Sequence, residues 1–206
     1  MKEIIVNALK LCLITLVAGV LLGVVYEVTK EPRAAQEEKA KNKAYAKVFE
    51  DAVSFESYDY DEDALKSYLA KNGIKDSKAF VNEIVQAVDK SGNALGYVIT
   101  VTDKEGYGGN VVFTLGITND GVMNGISFLT LEETAGVGMK ANDDKFKSQF
   151  AGMKAEEIEY TKTGKSADNQ IDAISGATVT TNAVTNGVNC GVYAYQFLTE
   201  GGSKNE

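Results

Sequence analysis

Hydrophobic positions fall into three regimes along the chain. The first is an unbroken apolar run, LCLITLVAGVLLGVVY from Leu11 to Tyr26, in which Thr15 and the terminal Tyr26 are the clearly polar side chains. Extended back through IIVNALK it reaches roughly 20 residues, about the 30 Å of a bilayer core at 1.5 Å per helical residue. Lys10 can snorkel to one interface, and Tyr26 suits the other. The run therefore predicts a transmembrane anchor over residues 1–28. A cleaved signal peptide is disfavoured, because the run exceeds the usual ~7–15 residue apolar region and no A-x-A site follows. Lys2, Lys10 and the amino terminus precede the span, whereas Glu27 and Glu31 offset Lys30 and Arg33 after it. The positive-inside bias thus leans toward a single-pass protein whose body is extracytoplasmic.

The second regime, residues 29–75, reads as helical linker. A polar segment around the single proline, Pro32, is followed by EEKAKNKAYAKVFEDA, rich in Ala, Lys and Glu and so helical by propensity. SYDYDEDALKSYLAKNG reads as an acidic loop and then a helix stopped at Asn72-Gly73.

The third regime, residues 76–206, takes the period of strands from residue 81. VNEIVQAV and LGYVITVTD form a hairpin about DKSGNA, and NVVFTLGIT and VMNGISFLTL form another about Asn119-Asp120-Gly121. NDDKFKSQFAGM reads as a helix, AEEIEYTK as a short helix or strand, and residues 179–198 as a final amphipathic helix whose Gly187 and Gly191 permit close packing. The expected fold class is α+β: an N-terminal transmembrane helix, then one domain (76–206) with a twisted antiparallel sheet of about four strands flanked by helices.

Composition narrows the chemistry. A formal charge of −8 argues against nucleic acid, which requires a basic footprint. There is no histidine, and the two cysteines, Cys12 and Cys190, are far apart. A Ser-His-Asp or Cys-His enzyme is excluded, as is a four-cysteine iron–sulfur cluster held by this chain alone. Redox work would need an organic cofactor or a partner. The acids Asp59, Asp61, Glu62 and Asp63 lack the spacing of an EF-hand loop and read as the charged first turn of a helix. No metal site and no catalytic residue is expected.

Two stretches remain. LTLEETAGVGMK (129–140) ends a strand with Glu133 and Thr134, then brackets Val137 with Gly136 and Gly138. Those glycines let a flat ligand or a second backbone approach, but by itself this is an ordinary glycine-rich loop. DAISGATVTTNAV (172–184) sets the hydroxyls of Ser175, Thr178, Thr180 and Thr181 around Gly176-Ala177 at the entrance of the last helix. Capping explains such residues, and so does an anion held by the free amides of the helix start. Spacing leaves both open, with the cap the simpler reading.

The run Asp172-Ala-Ile-Ser175-Gly176-Ala177-Thr178 resembles the D-x-x-S-G-A-T signature of proteins carrying covalent FMN. Together with the N-terminal span, the GYGG turn (106–109) and the ETAGVG loop, the layout is most similar to the G component of Rnf ion-translocating electron transport complexes. The resemblance covers nearly the whole chain. One departure is that the family loop commonly reads E-T-P-G-L-G, where Ala135 and Val137 stand here.

The resemblance implies that Thr178 carries FMN as a phosphoester, attached by a flavin transferase using FAD and a magnesium ion. Asp172, Ser175, Gly176 and Ala177 would form the recognised turn, with Thr180 and Thr181 in the helix behind it. Glu133, Thr134, Gly136, Val137 and Gly138 would line the flavin ring. It also implies an electron-transfer subunit, not catalytic alone, within a ferredoxin:NAD oxidoreductase that moves sodium ions or protons. The partners would be the other Rnf subunits and the lipid of the cell (inner) membrane. The C component of the sodium-translocating NADH:quinone reductase shares both loops and is the nearest alternative. An anchored non-redox binding module, with the SGAT turn only a cap, is the alternative of another class.

Overall fold

The apolar run becomes part of a single helix, α1 (Lys2–Val48), in the computed structural model, which describes residues 1–201. The helix is long and apolar enough to cross a membrane. It continues through Pro32 instead of restarting beyond it. Proline there removes one N–H and the bond it would make to the carbonyl four residues back. The apolar helix before it and the Ala-, Lys- and Glu-rich sequence after it outweigh that loss, with Arg33 and Glu37 paired at 3.0 Å on the following turn. Two compact units result, Met1–Lys41 and Asn42–Glu206.

Within the second unit, a five-stranded antiparallel sheet runs in chain order. Its strands are β1 (Ser54–Ser57), β2 (Ala79–Val88), β3 (Ala94–Asp103), β4 (Val111–Thr118) and β5 (Met123–Leu131). The expected strands are all present, and β1 is an addition, pairing Ser54 with Val88 through Ser57 with Val85. Helix α2 (Glu62–Lys71) lies between β1 and β2 in sequence. Asp61 caps it, accepting from the Asp63 and Ala64 amides at 3.1 and 3.0 Å, and Asn72 ends it. The acidic cluster is thus the start of a helix.

Alternation along the strands separates two cores. Ile99, Val101, Phe113, Leu115 and Ile117 share one core with α4 (Thr178–Thr199). Val85, Ala87 and Val98 share the other with Tyr45, Val48 and Phe49, from the end of α1 and the residue after it. α4 can lie this close because Gly187 and Gly191 face the sheet. A Cβ at either would come within 2.9 Å of Phe113 or 2.7 Å of Leu115.

The segment expected as one helix from Asn142 is instead a 3-10 helix (Gly138–Asn142) followed by the four-residue α3 (Asp144–Lys147). Tight i→i−3 bonds then carry the chain to Ala151. The segment cannot run on as a helix because its end is tied to β5: Gly152 N–H donates to Met123 C=O at 2.7 Å and Met123 N–H to Met153 C=O at 2.8 Å. Phe146 and Phe150 bury their rings at 5.5 Å from each other. The stretch that could have been helix or strand is a strand, β6 (Glu159–Thr161), paired in parallel with β7 (Gln170–Asp172). β7 delivers the chain to the start of α4.

Candidate functional site

The turn before α4 sorts the hydroxyls. Ala177 N–H donates to Ile174 C=O at 3.0 Å, and Gly176 between them has φ +79. Among the described residues no non-glycine has positive φ, so Ile174–Ala177 is a type II turn with glycine at its third position. Thr178 is the first helical residue, which makes Ala177 the cap, and no side chain caps the helix. Thr181 is fully buried and its hydroxyl bridges the turn to the helix. It accepts from Ile174 N–H at 3.0 Å and donates to Ala177 C=O at 2.9 Å. Thr178 and Ser175, by contrast, are exposed, and neither hydroxyl makes a hydrogen bond among the described residues. The first helical backbone bond runs from Thr181 N–H to Ala177 C=O at 2.9 Å. The amides of Thr178, Val179 and Thr180 therefore have no intrahelical acceptor and point out of the helix end.

The glycine-rich loop after β5 repeats the geometry. Val137 N–H donates to Thr134 C=O at 3.1 Å across Ala135 and Gly136, and Gly136 has φ +74. This is a second type II turn, with Ala135 at the position where proline is favoured. Gly138 then passes so close to its neighbours that a Cβ would sit 2.5 Å from Glu133 Oε2 and 2.7 Å from Thr180 Oγ1. Glu133 Oε1 accepts from Tyr107 N–H at 2.9 Å, so its carboxylate ties the GYGG turn to this loop. The approach to the GYGG turn is held by Asp103, a fully buried residue at the end of β3. Asp103 accepts from Glu105 N–H at 2.8 Å and from Asn186 Nδ2 of α4 at 2.6 Å. Burial pushes its carboxyl above the usual aspartate range, against the opposing effect of those two hydrogen bonds.

The three segments enclose a cleft of about 490 Å³, lined by Tyr107, by Glu133, Thr134, Val137 and Gly138, and by Gly176 through Thr180. Of the residues expected at a site, the cleft brings together Glu133, Thr134, Val137, Gly138, Gly176, Ala177, Thr178 and Thr180. Gly136 shapes the turn beside it without lining it. Thr181 lies beneath the turn. Asp172 and Ser175 line a neighbouring cavity of about 520 Å³, together with Lys140, Lys145, Phe146 and Gln149. There the Asp172 carboxylate accepts from Lys165 N–H at 2.6 Å, and its backbone N–H donates to Gln149 at 2.7 Å. Tyr107, inside the GYGG turn, and Val179 also line the cleft, and neither is among the residues the sequence places at the site. The signal for Tyr107 was an aromatic flanked by glycines, 74 % exposed in the structure.

The cleft fits a phosphorylated planar ligand. Its size is within the range of small-molecule sites, roughly 300–1,000 Å³. Its lining is apolar apart from hydroxyls, amides and one carboxylate, and an uncommitted threonine hydroxyl stands beside free helix amides that suit a phosphate.

Comparison with known proteins gives the same regions a description. An FMN-binding domain matches residues 106–192, and an RnfG N-terminal region matches residues 1–48. The G component of the Na(+)-translocating ferredoxin:NAD(+) oxidoreductase complex of Acetobacterium woodii is 40% identical over 112 residues, 53% of this chain. That alignment spans about half, 54%, of the Acetobacterium protein. The G component of the proton-translocating ferredoxin:NAD(+) oxidoreductase complex of Clostridium ljungdahlii is 30% identical over 84% of this chain and 80% of its own length. Among solved structures, Shewanella oneidensis NqrC is similar in fold, with a TM-score of 0.52 and 17% identity over 74% of this chain and 84% of that one.

Proposed function

Because the chain belongs to the RnfG family of ion-translocating oxidoreductase components, we propose that it is a membrane-anchored flavoprotein subunit carrying FMN as a phosphoester on Thr178. In this reading it relays electrons within a ferredoxin:NAD oxidoreductase complex that moves sodium ions or protons. The observation that carries the proposal is the state of the Thr178 side chain. It is exposed, it is the first residue of α4, it lines the cleft, and its hydroxyl is not spent on the fold.

Each residue then has a task. Thr178 Oγ forms the bond to the flavin-side phosphorus of FAD as the bond to AMP breaks, and the hydroxyl proton passes to a base on the flavin transferase. The amides of Thr178, Val179 and Thr180 hold the resulting phosphodiester charge. Thr134, Val137, Gly138 and Tyr107 line the cleft and would hold a flat ring there. When bound, the flavin supplies the redox chemistry, which agrees with a chain that has no histidine and no paired cysteines. The apolar part of α1 serves as the anchor in the cell membrane, with the charges before the span favouring an extracytoplasmic domain.

The test is the intact mass of the full chain matured with a flavin transferase, followed by peptide mapping. The expected result is FMN on the peptide containing Thr178 and no flavin fluorescence on a denaturing gel for Thr178→Ala. A fluorescent Thr178→Ala band overturns the attachment site. An unmodified and colourless wild-type protein leaves the alternative of an anchored non-redox module.

A further inference from the structure

Glu133 holds a position that its place in a ligand-facing loop does not explain. It is the one charged side chain among the described residues lining the cleft, and among the described residues no lysine or arginine pairs with it. Its Oε1 accepts from Tyr107 N–H at 2.9 Å. A Cβ on Gly106 would lie 3.0 Å from that same oxygen. Its Oε2 flanks Gly138, which also abuts the Thr180 hydroxyl of α4. One carboxylate therefore sits where the GYGG turn, the ETAGVG loop and the first turn of α4 meet. The neighbouring cavity is mixed in charge, with Lys140 and Lys145 offset by Asp143 and Asp172.

We propose that Glu133 is a positioning residue that sets both the shape and the charge of the flavin seat: it pins the Tyr107 backbone across the cleft, and its uncompensated carboxylate lowers the reduction potential of the group held there. The charge half of this inference rests on the FMN reading above. The shape half does not. A reduced flavin carries more negative charge than an oxidised one, so an unpaired carboxylate in the cleft wall disfavours reduction. At an effective dielectric of about 20, like charges about 12 Å apart repel enough to change the ratio of reduced to oxidised forms by a factor of about ten.

Two variants separate the halves. Glu133→Gln keeps an acceptor for Tyr107 N–H and removes the charge, whereas Glu133→Ala removes both. In the full chain carrying the additional Thr178→Ala change, which leaves no site for attached flavin, hydrogen exchange at the Tyr107 amide is read by NMR. Glu133→Ala should speed exchange at least tenfold and Glu133→Gln should leave it nearly unchanged. In the flavin-loaded chain, Glu133→Gln should raise the reduced-to-oxidised ratio about tenfold at fixed solution potential, about 30 mV for a two-electron couple. Equal exchange in the Glu133 and Glu133→Ala chains overturns the positioning role. A loaded Glu133→Gln protein whose ratio stays within twofold of wild type overturns the electrostatic one. If the parent chain takes up no flavin, the attachment reading fails separately and the exchange measurement still decides the role of Glu133 in the fold.

Discussion

Thr178 and Thr181 are one helical turn apart and chemically identical, yet replacing each with valine should have opposite consequences. Thr181 has no exposed surface, and its hydroxyl supplies the acceptor for Ile174 N–H and a donor to Ala177 C=O. Valine matches its shape, so no cavity forms and the helix-propensity cost is small. The Ala177 carbonyl keeps its bond from Thr181 N–H. The loss reduces to a buried amide at Ile174 left without a partner, about 1–3 kcal/mol. At about 2–4 °C per kcal/mol for a domain of this size, the melting temperature falls by about 2–12 °C. Thr178 is exposed and makes no side-chain bond, so valine there should change stability by less than about 0.5 kcal/mol. Thermal unfolding of the full chain in detergent, followed by circular dichroism, measures the first effect; in-gel flavin fluorescence measures the second. Thr178→Val should melt like wild type and carry no flavin, whereas Thr181→Val should melt early and still carry it below its transition. Equal destabilisation by both changes would mean that the division between a structural and a reactive hydroxyl is wrong.

Three further outcomes are expected. Gly138→Ala places a methyl 2.5 Å from Glu133 Oε2 and 2.7 Å from Thr180 Oγ1, so it should cost about 1–3 kcal/mol in urea unfolding, and the loss should shrink when Glu133 is also alanine. Ala135→Pro puts proline at the second position of a type II turn where Ala135 N–H makes no bond, and should stabilise by about 0.4–1 kcal/mol in the same assay. Asp103, whose carboxyl is raised by burial, holds its proton more tightly folded than unfolded, so its contribution to stability is complete below the unfolded value of about 4 and is lost as pH rises through the folded one. The stability of wild type relative to Asp103→Asn should therefore fall with rising pH in urea titrations, and a flat or rising difference would contradict the assignment.

What could be read in advance depended on whether the deciding interaction was local. The four longer strands announced themselves through residues such as Val98, Ile99 and Val101, whose burial follows from strand patterning about known turns. Strand β1 did not. SFES has no apolar period, and it is a strand because Val85–Val88 offers an edge to pair with. The segment after Gly138 misled for a related reason. Its spacing of Phe146 and Phe150 is helical, but the bonds between Met123 and the Gly152–Met153 backbone fix where its end must go. Pro32 was the reverse case, a local breaker overruled by the helix-forming sequence around it.

At the site, composition and motif located the region but did not allot the roles within it. The reason is a boundary of one residue. Had Thr178 been the cap, its hydroxyl would have bonded an amide of the first turn, and the simpler reading of the SGAT stretch would have followed. The helix instead begins at Thr178 with Ala177 as cap, which leaves that hydroxyl and the amides beside it without an internal task. Helix ends are the least certain feature of any pattern, by about one or two residues. The role of Glu133 lay further out of reach, because its partner, Tyr107, is 26 residues away. A carboxylate next to a glycine-rich loop suggests a ligand contact. Only the pairing of β4 with β5 brings the two turns at their ends together, so that the same carboxylate can shape the seat before any ligand arrives.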